Sequence, residues 1–295
     1  MIYGHITGGY DNVVEYALFM FMQYFFFHSG SFSKEFQMKE IMKYIVPYIK
    51  FSLLGLIIYE LYKYGNDGNI RLKNEISEIC YEFIFHWTIK GNGPLWFLID
   101  LCVIKIIYSF IKKENYIWII IISSFTAGLL LNKLGFFEPV WFANLNTGIS
   151  FFGLGKMLKN NQYNKYLFCL MTIIYLLIAI FYPSHLQVHN NQMLRGSYFM
   201  CYIASIGGII FYNNIFKFIK CKPLEYIGTN AMTIYIWHLP MIYISKIILI
   251  FIGCKEYISN TYICATMLIL EMSIMFLNNY IEDRKVEDDK LPKQI

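Results

Sequence analysis

The sequence predicts an all-α protein, a polytopic membrane helical bundle that forms one domain over residues 1–295. Hydrophobic residues make up 57% of the chain, charged residues make up only 15%, and the mean hydropathy is +0.45. An ordinary soluble domain contains about 25% charged residues, so a soluble fold could not cover this much apolar surface. The same composition excludes an intrinsically disordered chain and a collagen-like repeat.

Apolar segments follow one another along the whole chain, and each is long enough to cross a bilayer core with about 20 helical residues. All are predicted to be helices, because backbone groups in lipid must bond within their own segment. We expect nine complete transmembrane helices, preceded by the end of a truncated first helix in MIYGHITGG. The nine segments are 13–31, 40–62, 94–112, 116–133, 143–158, 164–182, 197–213, 224–250 and 260–281.

The lysines and arginines between the segments predict the orientation of the helices. When successive connections are assigned to alternate sides, one side contains fifteen of these residues and the other contains seven. Basic residues accumulate on the cytoplasmic side of multi-pass proteins, and the richer side includes the C-terminus. We therefore predict a plasma-membrane protein with a cytoplasmic C-terminus. The net charge of +5 needs no nucleic-acid partner to explain it.

Ionisable residues inside apolar segments are costly, so each is a candidate for function. His5 is the best candidate for a general base, since imidazole titrates near neutral pH. A solvent-facing histidine is the alternative. His28, with Ser29 and Gly30 after it, is a candidate for lining a cavity, and an interhelix hydrogen bond is the alternative.

The segment GNGPLWFLIDL opens one of the predicted spans. Its glycines and Pro94 predict a turn, and proline suits the first turn of a helix. Trp96 and Phe97 follow as candidates for a substrate cavity or as interface anchors. Asp100 lies one turn deeper, where a carboxylate needs a partner or water.

The segment YIGTNAMTIYIWHLPMI contains a proline inside an apolar stretch. Pro240 has no backbone N–H, so the carbonyl group of residue 236 loses its helical donor. His238 lies at this position, close to Tyr235. A polar residue at a helix break inside lipid usually lines a cavity, although helix packing is the alternative for His238.

The sequence lacks the motifs of nucleotide-binding, zinc-binding and disulfide-rich proteins. It contains no nucleotide-binding loop, and its seven cysteines form no CxxC pair, which argues against zinc and against a disulfide framework. These residues alone leave an enzyme and a transporter as equal alternatives.

Four regions, taken in order, resemble the acyltransferase 3 family of integral-membrane O-acyltransferases. The ordered set covers nearly the whole chain and is more specific than any one motif. The regions are YGHITGG; FMFMQYFFFHSGSFSK with IMKYIVPY; GPLWFL; and FFGLGKMLKN with YIGTNAMTIYIWHLPMI.

The resemblance implies ten transmembrane helices and the transfer of an acyl group, often acetyl, from acyl-CoA. The implied acceptor is a hydroxyl of a cell-surface or lipid-linked carbohydrate, and membrane lipids are the other partners. It implies that His5 is catalytic and that Trp96, Phe97 and His238 line the cavity, with no metal and no bound cofactor. An arginine of the family would precede Met1, and its late serine is Ala231 here. A glycan or lipid flippase and an inactive truncated paralogue remain alternatives.

Overall fold

The computed structural model is helical over almost all of the chain that it describes, which confirms the all-α class. Residues 1–20, including His5, lie outside that part. The described residues are 21–34, 36–67, 72–111, 113–135, 139–159, 165–182, 184–188, 192–219, 222–253 and 260–288.

Eleven α-helices are present in these ranges, together with two short 3₁₀ helices, Met38–Glu40 and Gly93–Leu95, and one antiparallel hairpin. The strands of the hairpin are β1, His185–Gln187, and β2, Gln192–Arg195. The helices are α1 Phe21–Ser31, α2 Met42–Asp67, α3 Leu72–His86, α4 Trp96–Ser109, α5 Glu114–Leu134, α6 Val140–Leu158, α7 Lys165–Phe181, α8 Tyr198–Ile215, α9 Lys222–Thr229, α10 Ala231–Phe251 and α11 Asn260–Asp288.

Within the described residues, the helices agree with the predicted segments except at three places, and residues 13–20 of the first segment lie outside this comparison. Helix α3 lies in the connection 63–93, for which no transmembrane helix is predicted because its acidic residues lower the hydropathy. The segment 224–250 divides at Asn230 into α9 and α10, and the hairpin occupies part of the connection before α8.

Four helical stretches are long and apolar enough to cross a membrane: Met38–Asn66, Glu114–Leu134, Tyr198–Ile215 and Ala231–Phe251. Their length and composition indicate a membrane protein. Helix α7 is shorter, and it presents an exposed stripe of Leu170, Ile173, Leu177 and Ile180 at helical spacing. Such a stripe needs an apolar surrounding. The number of nine complete spans stays a prediction.

Helix α6 lies at the centre of the bundle and packs against α1, α4 and α5. It is buried along most of its length, and two backbone-to-backbone contacts with α1 require glycine. A β-carbon on Gly30 would overlap the carbonyl of Phe152, and one on Gly155 would overlap the carbonyl of Phe27. Gly30, which follows Ser29, therefore allows the backbones of α1 and α6 to approach closely. The hydroxyl that reaches the carbonyl of Gly155 belongs to Ser31, at 3.1 Å.

Candidate functional site

The turn before α4 has the conformation that its glycines and proline predict. Gly91 has a φ of +87°, and a β-carbon there would overlap the carbonyl of Gly55 in α2. The 3₁₀ helix that follows contains Pro94, and α4 begins directly after it at Trp96. The turn is therefore pressed against α2, which fixes where α4 starts.

Asn92 connects this turn to two helices. Its side chain is completely buried. The Nδ2 atom donates to the carbonyl oxygens of Phe51 in α2, at 3.3 Å, and Ile236 in α10, at 3.0 Å. The Ile236 carbonyl is the group that Pro240 leaves without a helical donor. Helix α10 continues through Pro240 to Phe251, with that carbonyl satisfied from outside the helix.

An aromatic cluster lies beneath the turn, where α1, α4 and α10 meet. The ring of Phe97 lies 4.7 Å from that of Phe26 and 5.5 Å from that of Tyr235, and Trp96 lies 6.5 Å from Phe26. The hydroxyl of Tyr235 donates to the carbonyl oxygen of Pro94. The predicted residues Trp96, Phe97 and Tyr235 therefore share one buried aromatic environment.

Two buried ionisable side chains lie beside Tyr235. Asp100 interacts electrostatically with Tyr235, and neither of its carboxylate oxygens has a hydrogen-bond partner among the residues described. His238 donates from Nδ1 to the carbonyl oxygen of Tyr235, at 2.7 Å. Both Asp100 and His238 are completely buried. The structure thus brings Asp100, Tyr235 and His238 together from two helices.

His28 and Ser29 lie toward the other end of α1. His28 donates from Nε2 to Oδ1 of Asn213 in α8, at 2.9 Å, and its ring lies 4.2 Å from that of Tyr24. This is the interhelix hydrogen bond that the sequence left open as an alternative. The structure shows no contact between His28 and the cluster around Tyr235 among the described residues. A cavity role for His28 and Ser29 stays a prediction, as does the role of His5.

A cavity of about 590 Å³ lies where α1, α4 and α6 end. Three lysines line it, one that follows α1, one in α4 and one in α6, and it lies at the end of α4 that is opposite to the turn. The lining residues with polar groups are Ser33, Lys34, Lys105, Tyr108, Ser109 and Lys156. We call it the lysine cavity.

A second cavity, of about 540 Å³, lies at the turn itself, between α2, α3 and α10. It begins at Gly93 and Leu239, the neighbours of Pro94 and His238, so it borders the buried cluster. Its lining includes three tyrosines, two glutamates, a histidine and a lysine: Tyr59, Glu78, Tyr81, Glu82, His86, Lys90 and Tyr243. We call it the tyrosine cavity.

The charges of the tyrosine cavity are partly paired. Lys90 Nζ lies 2.5 Å from Glu78 Oε2. Burial raises the pKa of the Glu82 carboxyl above its usual range, although Lys90 acts in the opposite direction. The rings of Tyr59 and Tyr243 lie 5.2 Å apart, edge to face. The cavity thus offers aromatic faces beside hydrogen-bond acceptors.

Several of these residues were not predicted as site residues. Asn92 lies within the turn that the glycines and Pro94 predict, but no local pattern predicts its two backbone acceptors, which belong to other helices. Lys34 and Lys156 enter the sequence analysis only through the orientation of the helices, whereas Lys105 is one of the ionisable residues inside an apolar segment. Within the described ranges, no group of three His, Cys, Asp or Glu residues could hold a metal ion.

Comparison with known proteins gives one match. The family model Acyl_transf_3, described as an acyltransferase domain, matches residues 1–277. No curated protein and no solved structure matches the chain. The matched range covers most of the chain and includes the turn at Asn92, the buried cluster and both cavities. The chain therefore belongs to the Acyl_transf_3 family of acyltransferases.

Proposed function

We propose that the protein transfers an acyl group, in the first instance acetyl, from acyl-CoA to a hydroxyl of a cell-surface or lipid-linked carbohydrate. The observation that carries this proposal is the family match over residues 1–277. The two cavities near opposite ends of α4 support it, because a thioester and an alcohol that approach from opposite sides of a membrane need separate entrances. The buried cluster lies between these entrances.

The tyrosine cavity has the chemistry that a carbohydrate acceptor requires. Aromatic rings such as Tyr59 and Tyr243 cover the apolar faces of a sugar ring. Carboxylates such as Glu78 and Glu82 accept hydrogen bonds from hydroxyl groups. Its volume of about 540 Å³ lies within the range of small-molecule sites.

In the proposed reaction, His5 takes the proton of the acceptor hydroxyl while its oxygen attacks the thioester carbonyl. A carbon–oxygen bond forms and the carbon–sulfur bond breaks. The proton passes from the imidazole to the departing thiolate, so the products are an ester and free CoA. No electrons are exchanged with another group, and no metal is required.

The cluster around Tyr235 supports this reaction by excluding water from the thioester. Trp96 and Phe97 supply the apolar walls, and His238 and Asp100 are the ionisable groups next to the tyrosine cavity. His28 and Ser29 are placed on the donor side in this proposal. We further propose a plasma-membrane location with a cytoplasmic C-terminus, nine complete spans and a first helix that contains His5.

The proposal is tested with purified full-length protein in nanodiscs, supplied with radiolabelled acetyl-CoA and isolated surface glycans. We expect label in the glycan and a stoichiometric release of free CoA. His5→Ala should abolish transfer, and added imidazole should restore part of it if His5 acts as a base. Transfer that is unchanged in His5→Ala would remove His5 from the mechanism.

The same assay separates the enzyme from a carrier. A flippase would move a labelled glycan lipid across the membrane without acyl-CoA and would release no CoA. Glycan movement in the absence of acyl-CoA, with no label transferred in its presence, would overturn the enzyme proposal.

A further inference from the structure

The lysine cavity is a site that the proposed reaction does not yet use. We propose that Lys34, Lys105 and Lys156 bind the phosphate groups of the nucleotide part of the acyl-CoA donor. This inference rests on the proposed function, because the donor is the phosphate-bearing substrate of that reaction. The chemistry that the cavity would recognise is a group carrying several phosphates.

The three lysines come from parts of the chain that only the fold brings together. Lys34 follows α1, Lys105 lies in α4, and Lys156 lies in the last turn of α6. All three line one cavity, and the hydroxyls of Ser33 and Ser109 line it as well. Ammonium and hydroxyl groups are donors that phosphate oxygens accept.

Two of the three lysines are partly enclosed, and Lys34 is exposed at the mouth of the cavity. Lys105 and Lys156 are half-buried, and their ammonium groups lie 5.3 Å from the ring of Tyr44 and 5.8 Å from the ring of Tyr108, respectively. These contacts position the two side chains before a ligand binds. In the described part of the chain, no acidic side chain lines the cavity.

The need to balance the negative ends of the helix dipoles does not by itself account for three lysines in one cavity. Lysines are favourable near helix C-termini, and α1, α4 and α6 all end at the cavity. Each C-terminus contributes about half of a negative elementary charge, whereas each lysine contributes a full positive charge. Among the described residues that line the cavity, the lysines are the charged side chains, and an anionic ligand would complement their charge.

The position of the cavity fits a donor that arrives from the cytoplasm. Lys34 and Lys156 belong to the side that the distribution of lysines predicts to be cytoplasmic. Lys105 is separated from Asp100 by little more than one helical turn of α4. A donor whose phosphates lie in this cavity could extend its acyl arm along α4 toward the buried cluster. The volume of about 590 Å³ is sufficient for the phosphates and part of the nucleotide.

The test is direct binding of CoA, dephospho-CoA and inorganic phosphate to the full-length protein in nanodiscs of neutral lipid. We expect CoA to bind more tightly than dephospho-CoA, and both affinities to fall as salt is added. Lys105→Met should weaken CoA binding about tenfold to a hundredfold, the usual effect of losing a charged hydrogen bond. Lys105→Arg should restore most of the affinity.

Lys43→Met is the matched control. Lys43 is on the same side of the protein, is exposed and lies 3.6 Å from Glu40, so its loss should change CoA affinity less than twofold. If Lys105→Met does not fold, Lys34→Met replaces it, because Lys34 is exposed and has little packing to lose. Equal affinities for wild type and both cavity variants would overturn the proposal, as would an equal loss in Lys43→Met.

A lipid headgroup is the other source of phosphate, and a second arm tests it. Wild type and the lysine variants are placed in nanodiscs that contain anionic phospholipid. The amount of this lipid that stays bound to each protein after extraction is then measured. If the lysine variants lose bound lipid and keep their CoA affinity, the cavity is a lipid site and the proposal fails. CoA binding can be measured without turnover, so the two proposals can fail separately. CoA binding that depends on the lysines, without acyl transfer, would refute the proposed function and support the phosphate site. Acyl transfer with CoA binding that does not depend on the lysines would support the proposed function and refute the phosphate site.

Discussion

The side-chain nitrogen of Asn92 lies 3.0 Å from the carbonyl oxygen of Ile236, the oxygen that Pro240 deprives of its helical donor. One amide thus satisfies a defect in α10 and anchors the turn that begins α4. The residues Trp96, Phe97 and Asp100 depend on that turn for their position, and His238 depends on α10. This hydrogen bond, together with the one from the Tyr235 hydroxyl to the Pro94 carbonyl, couples the geometry of the buried cluster to the turn.

The first prediction concerns this bond. Asn92→Ala should lower the free energy of unfolding by about 1–3 kcal/mol, because a buried carbonyl loses its partner. The measurement is denaturant unfolding in detergent. Asn214→Ala is the control: its Nδ2 donates to the carbonyl of Ile210 in the same helix, which already has a backbone donor, so the loss should be small.

A double-mutant cycle gives this prediction its sharpest form. Pro240→Ala restores an N–H at residue 240, which can donate to the carbonyl of Ile236. Asn92→Ala should then cost less in the Pro240→Ala background than in the wild type. An identical cost in both backgrounds would show that Asn92 does not act through this carbonyl.

The sequence predicts the local structure around each partner of this hydrogen bond, but it does not predict that the two partners are in contact. Proline chemistry alone predicts the unsatisfied carbonyl at residue 236, and Gly91 and Pro94 predict a turn. The donor is 144 positions away from the acceptor in the chain, so no local rule could pair them. The same limit applies to His28, whose partner Asn213 is 185 positions away.

The cavities were unpredictable for a related reason. Counting lysines assigns Lys34 and Lys156 to one side of the membrane, but a count does not show that they share a cavity with Lys105. Helix α3 was missed because its glutamates lower its hydropathy below that of a span, although its residues Glu78 and Glu82 line the tyrosine cavity. Apolar runs thus predict the helices, while contacts between distant segments form the site.

The second prediction concerns Asp100. Its carboxylate is completely buried with no hydrogen-bond partner in the described residues, so Asp100→Asn should leave stability unchanged or raise it by about 1–3 kcal/mol. If Asp100 belongs to the site, acyl transfer should fall at least tenfold in the same variant. Thermal unfolding and kcat/KM are measured on one preparation.

Glu271→Gln is matched to this change. Glu271, in α11, is also buried, and its Oε1 atom has no partner in the described residues, but it lines neither the lysine cavity nor the tyrosine cavity. This variant should gain comparable stability and keep its activity. Full activity in both variants would mean that Asp100 has no part in the reaction.

The third prediction tests the contact between α1 and α6. Gly30→Ala places a β-carbon on the carbonyl of Phe152, which neither backbone can avoid without moving. We expect a loss of about 1–3 kcal/mol of stability. Gly65→Ala in α2 meets nothing within 4 Å and should instead gain about 0.5–1 kcal/mol. Equal effects at the two positions would contradict the close approach.

The fourth prediction follows from the raised pKa of Glu82 in α3, which lies outside the membrane spans. A raised pKa means that the native state binds this proton more readily than the unfolded chain does. The stability contributed by the neutral carboxyl is therefore present below the pKa of the unfolded chain, about 4.3, and is lost as the pH rises through the folded value. Glu82→Gln, which stays neutral, removes this loss.

The melting temperature of the Glu82→Gln variant relative to wild type should accordingly be higher at about pH 7.5 than at about pH 4. A constant offset for Glu82→Gln across this range would mean that burial does not govern the titration of Glu82, and that the tyrosine cavity is open to water around this carboxylate.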